Sequence, residues 1–589
     1  MTGTKRIFSW LRRLGGNAQF ILSVLAVIIG LASGLAAVLF RHAIRLIQEG
    51  TFGFGSEKVA SLAAQLPWWQ IMLVPTAGGL LVGLLVYHFM PDRRPQGVAN
   101  VMEASALKDA RMSLKDGLKA ALVSATSIGC GASVGREGPV VHLGACLGSW
   151  VARQLHLGRS LSRTLLGCGV AAGVAASFNA PIAGTFFALE VVVGHYALSA
   201  FAPIVIASVT GTLVSHAAFG DFPAFILPET WRIASLWEFP AFALLGVVSA
   251  AAAILFMKSI IFTEDVIKKV PVPSWSRPAI GGLAVGAIAV FFPEVLGVGY
   301  ESTDAALSDL YPLWLLIALI GLKTAATAIS LGSGFGGGVF SPSLFIGAMV
   351  GGAFGILATL VFPEQSSGHG AYTMIGMGAV AGAVLGAPIS TILMIFEMTN
   401  DYELTIAVMI ATVIASVITM QIHGRSFFTW QLERRGVSVT GGKETGLLRA
   451  IKVNSVMDRA FTTIPVDASV DQVRHELQEA PWGELFVIEP DGRLTGVLTF
   501  TDLHEVAFDT SHDDELNAGM LARKRFPALQ ARDDLDTAVK LYSVTGEVHV
   551  PIVDDHSTMR MMGLAHEHEV MLAYRRALNE ARAEERGDF

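Results

Sequence analysis

One short segment limits what this chain can fold into. The sequence GREGP at residues 135–139 lies in a long apolar stretch, and Arg136 and Glu137 are the only formal charges between residues 120 and 151. The glycines and the proline prevent a straight helix through this segment. Broken backbone and ionisable groups at membrane depth are tolerated where they line a cavity or are buried in protein. The segment therefore predicts an α-helical polytopic membrane protein with broken helices, in which Glu137 lies on an ion path.

The composition agrees with a membrane protein. The 589 residues are 52% hydrophobic and 15% charged, with a mean hydropathy of +0.54, whereas a soluble domain carries about 25% charge. Charge is unevenly distributed, because the chain beyond Gly441 is as charged as an ordinary cytosolic domain. We therefore predict a transmembrane domain over residues 19–435, a linker over 436–450 and a separate C-terminal module. The net charge of −7 does not point to nucleic acid as a partner, and we expect none.

The N-terminal residues predict the orientation of the chain. A basic segment, residues 1–18, precedes an apolar span from Phe20 to Phe40 that is long enough to cross about 30 Å of hydrocarbon. Because basic residues favour the cytoplasmic side, we predict a cytoplasmic N-terminus, with the soluble C-terminal module on the same side. We expect a multi-pass protein of a bacterial-type inner or plasma membrane, in contact with lipid.

A repeated pattern divides the membrane part into two halves, roughly residues 19–220 and 235–435. Pro139 and Pro342 are each followed five residues later by Gly-Ala. Farther along each half, an Ala-Pro pair precedes a glutamate, and Glu190 and Glu397 each lie nine residues past that proline. Matching broken segments in two halves predict a repeat transporter whose site lies where the broken helices meet. The residues alone leave open whether the repeats are inverted.

The breaks themselves suggest the chemistry of the site. Gly-rich loops at residues 131–138 and 332–338 each lead into an apolar helix with proline in its first turn. A helix N-terminus has free N–H groups and about half a unit of positive charge. Such ends can bind an anion and still release it, as conduction requires. The alternative is that the loops merely allow close helix packing. The duplication and the embedded Glu137 favour the anion site.

Four motifs are spread over the membrane part: GREGP (135–139), SFNAPIAGTFFALE (177–190), GGGVFSP (336–342) and GAPISTILMIFEM (386–398). Together they resemble the CLC family of chloride channels and chloride/proton antiporters. The resemblance implies inverted repeats of tilted helices and a homodimer with one anion pathway per subunit, for chloride and other monovalent anions. It assigns Glu137 as a gate whose carboxylate competes with the anion. The anion-binding positions that it implies are Gln96, Gly97, Arg136, Gly138, Phe428 and the backbone of Gly338, Val339 and Phe340.

Three positions depart from the family's pattern. Gln96 stands where the family usually has a serine, and Phe428 stands where it has a tyrosine, so two hydroxyl donors to the central anion are lost. Val191 follows Glu190 where antiporters often have a second, proton-carrying glutamate. Since valine cannot carry a proton, we predict a passive chloride channel gated by Glu137. The alternative is a chloride/proton antiporter with an atypical proton path.

The C-terminal module, residues 451–510 and 511–589 with a final charged helix, contains two weak copies of one α/β unit. Each copy has a methionine-bearing turn (Val456-Met457 and Gly519-Met520) and a short apolar strand (485–488 and 550–553). This pattern resembles a pair of CBS domains. The family's ribose-binding pattern of threonine and aspartate matches Thr499 and Asp502, whereas the second copy has His566 and Glu569 in those places. An adenine nucleotide is therefore the candidate ligand, and the chain would then be a nucleotide-sensing, regulated anion transporter. A structural pair without ligand is the alternative.

We also considered an enzyme. The sequence contains no recognisable nucleophile–base pair and no Walker-type phosphate loop, so we predict no enzymatic activity and no required cofactor. The densest histidine cluster, residues 566–568, lacks the spacing of a metal site, and we interpret it as a solvated charge run. We interpret His142 as a packed histidine at a helix contact and Glu190 as a structural glutamate with a polar partner.

Overall fold

The computed structural model describes residues 18–221, 225, 233–437, 451–503 and 515–586. The chain divides into two compact units, residues 1–439 and 440–589, so the division falls inside the segment predicted as a linker. Residues 438–450 lie outside the described residues, as does the predicted cytoplasmic segment 1–18 apart from its last residue.

The first unit is built from helices, as its hydropathy predicts. Eight helices in the described part are long and apolar enough to cross a membrane, while several others are shorter. A π-helical turn, Ala188–Val193, directly follows the helix Pro181–Phe187. Numbered α1 to α18 in chain order, the helices are Ala18–Phe52, Val59–Ala63, Trp68–Phe89, Val98–Leu107, Leu114–Gly129, Glu137–Gln154, Arg159–Phe178, Pro181–Phe187, Leu198–Phe219, Phe239–Lys269, Arg277–Phe291, Tyr300–Leu307, Leu313–Ser333, Phe340–Val361, His369–Leu385, Pro388–Thr399, Tyr402–Ile422 and Phe427–Glu433.

The two Gly-rich loops break the chain at equivalent places in the two halves. Helix α5 ends just before Gly131, which has φ +87°, and α13 ends just before Gly334, which has φ +106°. These left-handed conformations favour glycine. Helices α6 and α14 then start, with Pro139 and Pro342 in their first turns, where a proline removes no intrahelical hydrogen bond.

The repeated Gly-Ala pair explains how each broken helix packs. Gly144 of α6 meets Gly169 of α7, and a Cβ on either glycine would lie about 2 Å from the carbonyl oxygen of the other (2.2 and 1.9 Å). Gly347 of α14 meets Gly376 of α15 in the same way, at 2.4 Å in both directions. Only glycine fits at such a distance, so each half contains one backbone-to-backbone helix crossing at the repeated position.

The two halves contact each other through equivalent residues. The Glu190 carboxylate accepts hydrogen bonds from the backbone N–H groups of Ile389 (3.1 Å) and Ser390 (2.9 Å), at the start of α16. Reciprocally, Glu397 accepts them from the N–H groups of Ile182 and Ala183, both at 2.7 Å, at the start of α8. Reciprocal contacts of this kind are produced by a two-fold relation between the halves. The prediction of a repeat and of a structural role for Glu190 agrees with this geometry.

The second unit contains two similar three-stranded sheets. In each, the first strand pairs in parallel with the second, and the second pairs antiparallel with the third. One helix follows the first strand of each copy, and buried aliphatic side chains such as Leu485 and Ile552 form the two cores. The strands β1 to β6 are Thr462–Pro465, Glu484–Ile488, Leu494–Thr499, Leu529–Gln530, His549–Val553 and Met561–His566, and the helices α19 to α22 are Val470–Glu479, Ala518–Leu521, Leu535–Thr545 and Glu567–Arg586.

The reciprocal glutamates give a prediction about stability. Removing the carboxylate in Glu190→Ala or Glu397→Ala leaves two N–H groups at a helix start without their acceptor. Hydrogen bonds to a charged group stabilise a protein by roughly 1.5–3 kcal/mol, so each variant should unfold at a clearly lower temperature in detergent. The matched control is Glu364→Ala, at an exposed glutamate. Unchanged melting of both core variants would show that these bonds do not hold the halves together.

Candidate functional site

The N-termini of α6 and α14 meet at the centre of the first unit. The N–H of Gly135 donates to the carbonyl of Gly338 (2.7 Å), and the N–H of Gly338 donates to the carbonyl of Gly135 (2.8 Å). A Cβ on Gly138 would lie 3.2 Å from the Cα of Gly338, so the two backbones are in contact. Two helix N-termini, each with a partial positive charge, are thus held close together, and this arrangement favours an anion between them.

The Glu137 carboxylate lies at this junction and is fully buried. Its Oε1 accepts a hydrogen bond from the Tyr300 hydroxyl at 2.7 Å. Its Oε2 has no hydrogen-bond partner among the described residues. The Cβ position of Gly135 is 2.8 Å from that Oε2 and 3.1 Å from the backbone nitrogen of Ser341, which places the carboxylate against the first turn of α14.

A cavity of about 470 Å³ reaches the junction from one side. Its lining brings together all but one of the residues that the sequence predicts to bind the anion. Those residues are Gln96, Gly97, Gly138, Gly338, Val339, Phe340 and Phe428, with the gate residue Glu137 beside them.

A second cavity, of about 330 Å³, approaches from the other side and is lined by Tyr300, Arg136, Glu57 and Arg41. Glu137 lines the first cavity and its hydrogen-bond partner Tyr300 lines the second. The bonded pair therefore lies between the two cavities.

Arg136 is placed differently from the expectation. Its guanidinium donates to Glu57 at 2.6 Å, and Glu57 is also paired with Arg41 at 2.9 Å. The guanidinium carbon lies 4.6 Å from the centroid of the Tyr300 ring. Arg136 therefore lines the second cavity as part of an ion pair, apart from the other predicted anion-binding residues.

The backbone donors also differ in one respect from the expectation. The N–H of Gly338 donates to the carbonyl of Gly135 at 2.8 Å and is not free to bind an anion. The N–H groups of Val339 and Phe340 lie at the start of α14, where no intrahelical acceptor is available to them. The donors from this loop are therefore reduced to two of the three that were expected.

The three departures from the family's pattern lie in apolar or half-buried surroundings. Phe428 is buried beside Phe427, with ring centroids 6.0 Å apart, and offers no donor to the cavity. Gln96 is half-buried in the cavity wall. Val191 lies in the π-helical turn, half-buried against the apolar core, and is in the lining of neither cavity.

Sequence reasoning missed Tyr300 and Lys323. Tyr300 begins the short helix α12 and contacts Glu137 across 163 residues of sequence, so no local pattern identifies it. Lys323 is fully buried, and its ammonium donates to the carbonyls of Val295 (3.0 Å) and Gly297 (2.9 Å), just before Tyr300. Its unusual position in an apolar helix was the only available signal.

In the second unit, the Asp502 carboxylate is already engaged. One oxygen accepts from both the N–H (2.9 Å) and the hydroxyl (2.7 Å) of Thr499, and it lies 3.3 Å from the Nε of Arg523. The interpretation of residues 566–568 as a solvated run is wrong for His566. This side chain is buried, forms a hydrogen bond with Asp458 at 3.1 Å and packs at a tilt against Trp482, with ring centroids 4.2 Å apart.

His142 is buried in α6, with its Nδ1 3.9 Å from the Cys146 sulfur, in agreement with its interpretation as a packed histidine. Within the described ranges, no group of three or more His, Cys, Asp or Glu side chains is arranged to hold a metal ion.

Comparison with known proteins identifies the family. The family described as "Voltage gated chloride channel" matches residues 78–420, and the CBS domain family matches residues 453–509. A putative chloride channel protein ClcB-like from Ralstonia nicotianae is 36% identical over 415 residues, which are 70% of this chain and 96% of the relative.

Two solved structures have the same fold. One is a slow cyanobacterial Cl⁻/H⁺ antiporter, with a TM-score of 0.64 and 24% identity over 70% of this chain and 97% of that chain. The other is a eukaryotic CLC transporter, with a TM-score of 0.62 and 18% identity over 94% of this chain and 99% of that chain. With a family match over more than half of its length, the chain belongs to the voltage-gated chloride channel (CLC) family and carries a C-terminal CBS region.

Proposed function

We propose that this CLC protein is a passive chloride channel in which the Glu137 carboxylate is the gate. The observation that supports the proposal is the location of this buried carboxylate at two helix N-termini, between two cavities. A site that attracts anions also attracts a tethered carboxylate. The ionised Glu137 side chain therefore competes with chloride, and its protonation or displacement opens the path.

The larger cavity is proposed as the cytoplasmic vestibule. The Gln70 side chain, near the start of α3, donates to the carbonyls of Thr51 and Phe52 at the end of α1. The C-terminal end of α1 and the N-terminal end of α3 therefore lie on the same side of the membrane unit. The start of α1 and the end of α3 then lie on the opposite side, with the larger cavity. Basic side chains favour the cytoplasmic face and concentrate anions there. Those lining the cavity are Arg93, Arg94, Lys268, Arg277, Arg434 and Arg435.

Val191 favours a channel over an antiporter. By the family resemblance it occupies the position of the proton-carrying glutamate, and it is half-buried against apolar side chains. The alternative function is a chloride/proton antiporter whose protons take another route. One solved structure of the same fold is a Cl⁻/H⁺ antiporter, and this is the reason for retaining the alternative.

The oligomeric state and the CBS ligand are further parts of the proposal. The family resemblance suggests a homodimer with one pathway per subunit. An adenine nucleotide at Thr499 and Asp502 would have to displace the Arg523 contact, so a structural CBS pair is the simpler reading. Calorimetric titration of the full chain with ATP, ADP and AMP distinguishes a nucleotide sensor from a structural pair.

The gate is tested with Glu137→Gln. The neutral amide cannot be ionised, so the variant should mimic the protonated side chain and lose most of the pH dependence of chloride flux. Chloride efflux from proteoliposomes over a range of pH measures this. Asp116→Asn, at a carboxylate in the first turn of α5, is a control that should keep the wild-type profile. A Glu137→Gln profile equal to wild type would show that Glu137 is not the gate.

Coupling is tested by imposing opposed gradients of chloride and pH. With valine at position 191, the reversal potential should follow the chloride Nernst potential and ignore the proton gradient. Opening should still respond to pH through Glu137. A reversal potential that moves steadily with the proton gradient at fixed chloride would support the antiporter instead.

The central site is tested with Phe428→Tyr. A hydrogen bond to a charged partner is worth roughly 1.5–3 kcal/mol, so restoring the hydroxyl should tighten chloride binding about tenfold or more. Permeation should slow, because an anion that is bound more tightly leaves the site more slowly. In wild type, weak binding and little discrimination among chloride, bromide and nitrate are expected. Calorimetric chloride titration measures the difference, and a wild-type affinity equal to that of the variant would contradict it.

A further inference from the structure

We propose that the Tyr300 hydroxyl is a latch that holds the ionised Glu137 carboxylate in its blocking position. The inference rests on the proposed function of Glu137 as the gate and assigns Tyr300 as its positioning residue. The Tyr300 hydroxyl donates to Oε1 at 2.7 Å, and both side chains are buried. Since Oε2 has no hydrogen-bond partner in the described chain, this is the side-chain hydrogen bond that fixes the carboxylate.

The Tyr300 ring is held independently of Glu137. Phe225 packs edge-on against it, with centroids 5.1 Å apart, and the Arg136 guanidinium lies 4.6 Å from its centroid. Neither contact involves the hydroxyl. The ring therefore presents its O–H at a fixed place, whether or not the carboxylate is there to accept.

The backbone before Tyr300 is also fixed. The fully buried Lys323 ammonium binds the carbonyls of Val295 and Gly297 and lies 4.9 Å from the centroid of the Phe345 ring. Gly299 has φ +95°, and a Cβ there would lie 2.6 Å from a carbon of the Phe345 ring. This otherwise unexplained buried lysine thus holds the turn from which Tyr300 enters the junction.

The chemistry of the latch depends on the charge of Glu137. A hydrogen bond from a neutral phenol to an ionised carboxylate is stronger than one to a neutral carboxyl group. The bond therefore stabilises the ionised, blocking state and weakens when Glu137 takes up a proton. The other charged groups at this place are Arg136, whose Nε is 4.0 Å from Oε1, and Glu57 and Arg41 beyond it. Lys323 lies behind the turn, bound to carbonyls.

The test is Tyr300→Phe, which removes the hydroxyl and keeps both ring contacts. Loss of the bond makes the ionised, blocking carboxylate less stable, so conduction persists to higher pH. From the usual strength of a hydrogen bond to a charged group, the midpoint of the pH profile of chloride efflux should rise by about one unit or more. Efflux on the alkaline flank of the profile should rise about tenfold.

A matched control is available elsewhere in the chain. The buried Tyr372 hydroxyl also donates to a buried glutamate, Glu238, at 3.1 Å, and neither residue lines a described cavity. Tyr372→Phe should leave the pH midpoint unchanged. In a Glu137→Gln background, Tyr300→Phe should have little further effect, because the ionisable acceptor is already gone.

The outcomes separate the latch from the gate. If Glu137→Gln keeps the wild-type pH profile, the gate proposal fails. If Glu137→Gln removes the pH dependence while Tyr300→Phe leaves the midpoint in place, the latch alone is overturned. Site-specific replacement of Tyr300 by 3-fluorotyrosine, a stronger donor of nearly the same size, provides a second test should the phenylalanine variant fold poorly. It should move the midpoint to lower pH, and an unchanged midpoint would again overturn the latch.

Discussion

The pair of backbone hydrogen bonds between Gly135 and Gly338 is the constraint on which the rest of the membrane unit depends. It joins two loops from distant parts of the chain and fixes the starts of α6 and α14 against each other. Any side chain at Gly138 would push these starts apart. The prolines in the following turns and the glycine crossings behind them keep each helix in the direction that this contact sets. Broken helices are stable here because their free ends are buried against one another.

In the proposed function, this geometry provides a site for an anion at backbone groups rather than at a formal cation. Arg136 is close, but it is ion-paired with Glu57, which it shares with Arg41, and this cluster lines the second cavity. Helix N-termini and backbone N–H groups then provide the positive potential, which is weak enough to allow release. A tethered carboxylate is the natural competitor at such a place. Protonation of Glu137, or loss of one hydrogen bond to its carboxylate, is therefore proposed to open the path.

The sequence predicted the features that depend on local pattern. The polytopic helical fold and the C-terminal α/β pair are confirmed. They were predictable because the hydropathy, the Gly/Pro breaks and the repeat are visible along the chain. The sequence did not predict which residues contact each other when they are far apart in the chain. Nothing near Tyr300 or Glu57 in the sequence indicates that they meet Glu137 and Arg136. The loss of Gly338 as a free donor likewise depends on a loop 203 residues away. His566 looked solvated among charged neighbours, whereas its contacts with Trp482 and Asp458 explain its burial.

We propose that the Glu137 carboxylate and the permeating anion compete for one site. Anomalous diffraction from crystals soaked in bromide tests it most directly, in wild type and in Glu137→Gln at the same pH. Competition for one site predicts a bromide peak against the first turn of α14, at the position of the wild-type carboxylate, in the variant alone. Equal bromide occupancy at that position in both proteins, or none in the variant, would contradict competition for a shared site.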